Sequence, residues 1–258
     1  MDQKKRKPII AANWKMHKVN KEAIAYVKAF RQALKKDAPK KADILILPSF
    51  TCIQDVADLL KGTGIHVGAQ DVFYEKQGAY TGEISGDMLH TLGCEYVLVG
   101  HSERRKYFHE TDEAVNKKLR AALEHKLTPI LCVGETILQR EGGMGHEVIT
   151  RQLHRGLEHL SPAAVKQVVI AYEPVWAIST TANSRHASPV MAEEMHAFIR
   201  RTLSSLHGGE VAGRVRIIYG GSVDAKNAKD YLREQDVDGV LVGGASLDAK
   251  GFARIADF

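Results

Sequence analysis

Short apolar segments recur along the chain, and between them lie longer segments in which apolar residues return every three or four positions. The short segments are rich in isoleucine, valine and leucine and do not alternate with polar residues, which is typical of parallel strands buried on both faces. Eight of them can be counted: PIIAAN, ADILILP, IHVGAQ, EYVLVG, TPILCVG, QVVIAYE, VRIIYGG and DGVLVGG. The spacing of amphipathic helices is found between them, for example in EAIAYVKAFRQALKK, DEAVNKKLRAALEHK and MAEEMHAFIRRTLSSL.

This alternation of strand and helix predicts an α/β fold built from βαβ units. Eight such units in 258 residues fit a closed (β/α)8 barrel better than an open doubly wound sheet. No linker or low-complexity stretch divides the sequence, so we expect residues 1–258 to form a single barrel domain. The chemistry of such barrels lies at the carboxyl ends of the strands and in the loops that follow them.

The charge of the chain narrows the class of ligand. The formal net charge is +5 and the sequence pI is near 9.0, and the positive residues are scattered apart from KKRK near the start. This balance suits a small anionic substrate, and KKRK is more simply a solvated terminus than a nucleic-acid site. The sequence has no apolar run of about 18 residues and no signal-peptide core, so we expect a cytoplasmic protein.

Cysteine and histidine usage argues against a bound metal. The cysteines Cys52, Cys94 and Cys132 lie far apart and form no CxxC pair, and none of the 12 histidines forms a ligand cluster with cysteine or carboxylate. We therefore expect reduced thiols, no zinc site and no cofactor.

Polar residues and glycines stand at the predicted carboxyl ends of the strands, where a barrel would bring them to one mouth. They are Asn13 and Lys15, Gln70, His101, Glu135, Glu173, and the glycine pairs at 220–221 and 243–244.

Glu173 is the candidate general base. Pro174 fixes the backbone after it, and Trp176 and Ile178 are expected to shield it from water. A poorly hydrated carboxylate binds a proton more tightly, which suits proton abstraction. The structural alternative is an ordinary strand-end glutamate in a surface salt bridge.

His101 and Lys15 are the candidates for polarising and attracting a substrate. His101 opens HSERR, which predicts the first turn of a helix whose amides would keep the imidazole neutral. Lys15 places a cation at the end of the first strand, two residues after Asn13. The structural alternatives are a packed histidine and a lysine paired with Glu103.

The glycine pairs after the last two strands favour a phosphate site. Glycine lets the backbone approach a ligand and direct its N–H groups at an anion. The loops after strands seven and eight are the usual phosphate position in barrels. Tight βα turns are the structural alternative, yet two pairs at consecutive strand ends of a basic chain argue for a phosphorylated ligand.

Seven motifs, spread over essentially the whole chain, resemble those of the triosephosphate isomerase family in their order. They are NWKM at 13–16, GAYTGEIS at 78–85, GHSERR at 100–105, CVGE at 132–135, AYEPVWAI at 171–178, YGGSV at 219–223 and VGGASL at 242–247. The resemblance implies a TIM barrel that interconverts dihydroxyacetone phosphate and D-glyceraldehyde 3-phosphate. Such an enzyme is an intramolecular oxidoreductase, an aldose–ketose isomerase of glycolysis and gluconeogenesis.

The resemblance also implies a role for each site residue. Glu173 matches the base that moves a proton between two carbons of the triose through an enediol, and His101 matches the neutral group that polarises the carbonyl. Lys15 and Asn13 match the groups that attract the anionic substrate and stabilise the developing charge. The phosphate ligands that it implies are Ser179, Ser222, Gly243 and Gly244.

The chain departs from the family pattern in two places. The segment from residue 177, which would form a lid over the substrate, reads AISTTANSRHASP and is three residues longer than usual before its proline. Within this lid of residues 179–188, Ser179 stands where a glycine normally offers its amide to the phosphate, and a serine amide can still donate. The second departure is Asp71, where the family usually has an amide after Gln70.

The loop of residues 71–81 predicts a subunit interface. It has no helical period, and the resemblance implies that it projects into a second copy of the chain, with Thr81 near the active site of that copy. We therefore expect a homodimer, and the alternative is a monomer with a flexible surface loop.

Three other functions stay open at this point. The longer lid would admit a four-carbon ketose phosphate, which the same base and electrophile would isomerise. A catalytically silent barrel is an alternative, although Lys15, His101 and Glu173 are all present. Nucleic-acid binding through KKRK would require an affinity that falls steeply with salt.

Overall fold

The computed structural model describes residues 6–178 and 187–258. Within these residues, eight parallel strands close into a barrel in chain order, and the last strand pairs with the first. They are β1 (Ile9–Asn13), β2 (Asp43–Leu47), β3 (Ile65–Ala69), β4 (Tyr96–Val99), β5 (Thr128–Val133), β6 (Val169–Tyr172), β7 (Arg216–Tyr219) and β8 (Gly239–Val242). Each strand lies inside one of the eight predicted apolar segments, and the predicted fold class is confirmed.

Helices connect successive strands. In the described part of the chain they are α1 (Asn20–Ala33), α2 (Ala38–Lys41), α3 (Ile53–Leu60), α4 (Gly86–Thr91), α5 (Ser102–Tyr107), α6 (Asp112–Glu124), α7 (Ile137–Glu141), α8 (Gly145–Gly156), α9 (Pro162–Val165), α10 (Pro189–His207), α11 (Gly209–Arg214), α12 (Ala228–Arg233) and α13 (Ala249–Ala256). Among these helices none is long and apolar enough to cross a membrane. That residues 1–258 form one domain stays a prediction, because residues 1–5 and 179–186 lie outside the described part.

Alternate strand residues form two separate apolar layers. One buried cluster contains Ile9, Ala11, Leu45, Leu47, Tyr96, Leu98, Ile130, Cys132, Val169, Ala171, Ile218 and Leu241. In β1, Ile9 and Ala11 belong to this cluster, whereas Ile10 and Ala12 belong to the larger cluster that includes the helices. Because successive side chains of a strand point to opposite faces, the first cluster fills the barrel and the second packs around it. Burial on both faces explains why the strands are continuous apolar runs.

Local capping determines where the helices around the mouth begin. Ser188 accepts a hydrogen bond from the amide of Met191 at 3.2 Å, and Pro189 occupies the first position of α10. Thr111 accepts from the amide of Ala114 at 3.2 Å at the start of α6. Both arrangements satisfy amides that the first turn of a helix leaves without a partner.

The connection from β3 to α4 is a loop closed at its base. The amide of Phe73 donates to the carbonyl of Ile84 at 2.8 Å, and the ring of Phe73 packs on Tyr80 with centroids 4.8 Å apart. Residues 75–83, between these contacts, are all exposed. The loop therefore projects from the barrel as an ordered unit.

Candidate active site

The mouth of the barrel contains a small pocket that collects most of the predicted site residues. Its wall is formed by Asn13, Lys15, His101, Glu173, Ile178, Gly220, Gly221, Leu241 and Gly243. These residues come from β1, β8 and the segments that follow β1, β4, β6, β7 and β8, so the barrel brings together positions that are far apart in the chain.

Glu173 lies at the centre of this arrangement and is only 2% exposed. Its Oε1 is 3.0 Å from Nε2 of His101, and its Oε2 accepts a hydrogen bond from the amide of Ser102 at 3.1 Å. A Cβ atom on Gly220 would lie 2.8 Å from Cγ of Glu173, so only glycine leaves the carboxylate this space. The surface salt bridge considered as the alternative for Glu173 is not what the structure contains.

The proton affinity of Glu173 differs from the expectation based on shielding. Burial acts to raise the pKa of Glu173, but His101, the Ser102 amide and Lys15 outweigh it, and the pKa lies below its ordinary value. The expected increase was wrong because it counted desolvation and omitted the neighbouring donors. Glu173 is therefore a carboxylate at neutral pH, which is the form that a base requires.

His101 lies between a helix amide and Glu173. Its Nδ1 accepts from the amide of Glu103 at 3.2 Å, which assigns the proton of a neutral imidazole to Nε2. Burial lowers the pKa of His101, but the charge and hydrogen bond of Glu173, followed by Glu103, raise it above its usual value. The contribution of Glu173 disappears once that carboxylate takes up a proton, and burial and the helix amide then favour the neutral imidazole.

Lys15 is held over the pocket by contacts to its backbone and its ammonium group. Its amide donates to Oδ1 of Asn13 at 3.0 Å, and its carbonyl accepts from Nε2 of Gln70 at 2.9 Å. These contacts hold Lys15 at a φ of 53°, a conformation that is uncommon outside glycine. The ammonium Nζ is 2.6 Å from Oε1 of Glu103, so the ion pair considered as an alternative for Lys15 exists beside the pocket.

Sequence reasoning did not assign a site role to Ser102 or Glu103. The Ser102 amide holds Glu173, and Glu103 contacts both Lys15 and His101. The available signal was their position in the first turn of α5, where amides without a helical partner bind acceptors.

The four predicted phosphate ligands differ in where they lie relative to the pocket. Gly243 lies on the pocket wall, and Gly244 begins a short 3₁₀ helix, Gly244–Leu247, directly after it. Ser222 is not on the wall, and its amide donates to the carbonyl of Ala177 at 3.1 Å. Ser179 lies outside the described residues, as do residues 180–186 of the predicted lid.

Glu135 follows the carboxyl end of β5, as predicted, but does not reach the pocket. Its Oε1 accepts from Trp176 Nε1 at 2.8 Å, from the Tyr172 hydroxyl at 3.0 Å and from Arg140 at 3.2 Å. Its carbonyl also accepts from the amide of Val175 at 3.1 Å. Glu135 therefore anchors the segment that follows Glu173.

Asp71 lies in a buried cluster of charges, hereafter the Asp71 cluster, which consists of Asp71, Arg104, Glu110 and Lys118. Lys118 Nζ is 2.7 and 2.8 Å from the two carboxylate oxygens of Asp71 and also contacts Glu110. Arg104 is 2.8 Å from Asp71 and 3.3 Å from Glu110. Burial raises the pKa of Asp71 to about 6, because Lys118 and Arg104 only partly offset it. The cluster joins the start of the projecting loop to α5 and α6.

Large apolar side chains are exposed near this loop and the neighbouring loops of the mouth. They include Met16, Val19, Phe50, Tyr80, Tyr107 and Phe108. Large apolar side chains exposed on several loops at one end of a barrel favour a protein–protein contact there.

The arrangement in the pocket is suited to one kind of chemistry. A buried carboxylate, an imidazole N–H and an ammonium group face the same small space. A carboxylate can remove a proton from a carbon beside a carbonyl, while the imidazole and the ammonium stabilise negative charge on the carbonyl oxygen.

Comparisons with known proteins agree with this geometry. A family model described as triosephosphate isomerase matches residues 8–258. The triosephosphate isomerase from Caldanaerobacter subterraneus is 50% identical over 253 residues, which cover 98% of this chain and 100% of that protein. The triosephosphate isomerase from Moorella thermoacetica is 49% identical over 253 residues, which cover 98% of this chain and 99% of that protein. The crystal structure of triosephosphate isomerase from Bartonella henselae matches with a TM-score of 0.87 at 36% identity, and the match covers 98% of each chain.

Proposed function

The chain belongs to the triosephosphate isomerase family and is an isomerase, and we propose how the described residues interconvert dihydroxyacetone phosphate and D-glyceraldehyde 3-phosphate. The observation that carries this proposal is the contact of the buried Glu173 carboxylate with His101 on the wall that also contains Lys15.

Glu173 acts as the base. Its ionised carboxylate takes a proton from one carbon of the triose and returns it to the neighbouring carbon, with an enediolate in between. The buried position excludes water from the reacting atoms, and the lowered pKa keeps the carboxylate ionised before substrate binds.

His101 and Lys15 stabilise the oxygen on which negative charge develops. The Nε2–H of a neutral imidazole donates to the carbonyl oxygen, and Lys15 adds a positive charge. Asn13 supports this role, because its side chain holds the backbone of Lys15. Glu103 and Gln70 position Lys15 and do not line the pocket.

The substrate phosphate binds at the glycine-rich side of the pocket. Support comes from Gly243 on the wall and from the helix turn that begins at Gly244, where backbone amides are available to an anion. We propose that Ser222 joins these ligands once its amide leaves the Ala177 carbonyl, and that Ser179 contributes from the lid.

Two copies of the chain form the working unit in this proposal. The loop of residues 71–81 projects from the barrel, and large apolar side chains are exposed on this loop and on the loops that follow β1, β2 and β4. Analytical ultracentrifugation tests the interface. A wild type that sediments as a dimer and a Tyr80→Asp variant that sediments as a monomer would support it, whereas a monomeric wild type would contradict it.

We also propose a cytoplasmic location and assignment to the intramolecular oxidoreductases.

The reaction is tested by a coupled assay with D-glyceraldehyde 3-phosphate, run beside the Glu173→Gln variant. We expect fast turnover that disappears in the variant, because glutamine keeps the shape of the side chain but cannot accept the proton. A four-carbon ketose phosphate serves as the competing substrate; faster turnover of that compound would replace the triose assignment. Absence of turnover with both compounds would leave a silent barrel.

A further inference from the structure

The turn that follows β8 carries two of the predicted phosphate ligands. This 243–247 turn consists of Gly243 and the 3₁₀ helix Gly244–Leu247. Gly243 lies on the wall of the catalytic pocket, where a Cβ atom on it would be 3.5 Å from Cε of Lys15. The amide and the hydroxyl of Ser246 both donate to the carbonyl of Gly243, at 2.8 and 2.7 Å. The position of Gly243 is therefore tied to that of Ser246.

Two side chains from the first βα unit hold the far end of this turn. The hydroxyl of Tyr26, on α1, donates to the carbonyl of Ser246 at 2.7 Å. The ammonium group of Lys18, in the segment between β1 and α1, donates to the carbonyl of Leu247 at 3.1 Å. Tyr26 and Ser246 are both buried, so water does not compete for the hydrogen bond between them. Neither Lys18 nor Tyr26 lines the catalytic pocket, so they act on a ligand there through the turn.

The conformation of Lys18 is unusual and produces this contact. Its φ is 72°, in the left-handed region that residues with a Cβ rarely adopt. Its ammonium nitrogen lies 4.7 Å from the ring centroid of Tyr26 and 5.5 Å from that of Trp14, and aromatic faces at such distances attract a cation. Backbone strain of this kind costs free energy and clusters at functional sites. The strained residue here delivers a cation to the Leu247 carbonyl, directly behind the phosphate ligands.

We propose that Lys18 and Tyr26 are positioning residues for the substrate phosphate, because they fix the 243–247 turn with the amides of Gly243 and Gly244 directed to the pocket. The role rests on the proposed phosphate site and adds the groups that hold it in place. A turn whose carbonyls are already bound needs no reordering when the anion arrives, so its amides are preorganised.

Inhibition of D-glyceraldehyde 3-phosphate turnover by inorganic phosphate measures the affinity of this site. Lys18→Met keeps an unbranched stem beside the rings and removes the ammonium group. The inhibition constant should rise about ten-fold, the factor that a hydrogen bond to a charged group is worth. Tyr26→Phe removes only a hydroxyl and should raise the constant about five-fold.

Two matched controls should keep the wild-type inhibition constant. Lys21→Met removes an ammonium group from an exposed position of α1. Tyr96→Phe removes a buried hydroxyl that donates to Asp43 at 3.4 Å, at the amino end of the strands and away from the pocket.

A substrate without a phosphate separates positioning from general damage. D-glyceraldehyde presents the same reacting carbons, and the enzyme-catalysed exchange of its carbon-bound hydrogen in D2O is followed by proton NMR. Lys18→Met and Tyr26→Phe should lower kcat/KM for the phosphorylated substrate by the factors given for inorganic phosphate. Both variants should leave the exchange rate of D-glyceraldehyde unchanged, because that substrate has no phosphate for the turn to bind.

Two results would overturn the positioning role. One is a wild-type inhibition constant in Tyr26→Phe and in Lys18→Met; Tyr26→Phe decides alone if Lys18→Met does not fold. The other is an equal loss of rate with the phosphorylated and the unphosphorylated substrate. A wild type with fast turnover leaves the proposed function intact in both cases, whereas a wild type without turnover would overturn the function and the positioning role together.

Discussion

Lys118 is the residue through which the stability of the Asp71 cluster is best tested. Its side chain is almost fully buried, and its ammonium contacts both Asp71 and Glu110. Lys118→Met keeps a long unbranched side chain but leaves two buried carboxylates with Arg104 as their remaining cation in the cluster. Loss of one partner of a buried ion pair costs about 3–5 kcal/mol in the free energy of unfolding. We expect a loss in that range at pH 8.

The loss should shrink in acid. The pKa of Asp71 is already raised to about 6, above its usual 3.8, and loss of Lys118 removes an attraction that lowers it. A carboxyl group whose folded pKa is raised contributes stability at low pH and loses it as the pH rises through that pKa. The deficit of Lys118→Met should therefore be largest near pH 8 and clearly smaller near pH 5, where Asp71 binds a proton.

Urea unfolding followed by tryptophan fluorescence, at one protein concentration, measures both effects. The matched control is Lys117→Met, because Lys117 is about half exposed and pairs with the exposed Glu113 on the same helix; we expect a much smaller cost, since exposed ion pairs contribute little to stability. Adding Asp71→Asn to Lys118→Met should restore part of the loss. The reasoning fails if Lys118→Met costs no more than Lys117→Met, or if its cost is the same at pH 5 and pH 8.

Three further predictions concern the catalytic pocket. Lys15→Ala should raise KM and lower kcat, and kcat/KM should fall by about 100-fold or more because the charge-assisted contact of Lys15 with the substrate is lost. Wild-type values of both constants in steady-state kinetics would show that Lys15 has no electrostatic role. The lowered pKa of Glu173 keeps its carboxylate ionised, so kcat/KM, divided by the dianionic fraction of a substrate phosphate that titrates near pH 6, should decline with acid as His101, whose pKa is raised above 6.5, takes up a proton; the absence of any decline between pH 8 and pH 5 would contradict the requirement for a neutral imidazole. Gly220→Ala would place a Cβ 2.8 Å from Cγ of Glu173, so kcat should fall at least about ten-fold with KM less affected, and an unchanged kcat would show that the carboxylate tolerates displacement.

The strands could be predicted because two-sided burial leaves a direct record in the sequence. Ile9 and Ile10 point to different layers, yet both are apolar, so the whole strand appears as one run. The convergence of Lys15, His101 and Glu173 followed from the rule that a parallel barrel brings the carboxyl ends of its strands to one mouth.

The direction of a side chain could not be predicted in the same way. Glu135 and Glu173 both follow the last residues of strands, but Glu135 turns toward Trp176 and Arg140 and does not reach the pocket. The lowered pKa of Glu173 likewise depends on distances to Ser102 and His101 that a strand-end position does not specify.

Long-range pairing was also beyond the sequence. Asp71 was recognised as a departure, but its partner Lys118 is 47 positions away and lies on a helix whose other lysine, Lys117, is exposed. No local pattern marks one lysine of α6 as buried and paired. At the second end of the lid, the structure describes two residues. The carbonyl of Ala187 accepts from the hydroxyl of Tyr231, and Ser188 caps α10.

The central claim is that the position of the Glu173 carboxylate determines the rate of proton transfer, and the kcat of Glu173→Asp tests it most directly. Aspartate keeps the charge and retracts the carboxylate by one methylene from the place where it contacts His101. A misplacement of this size costs about 100-fold in rate, whereas substrate binding depends mainly on other groups. The account predicts a kcat reduced by about 100-fold or more with KM changed only a few-fold. A kcat equal to that of the wild type would contradict it.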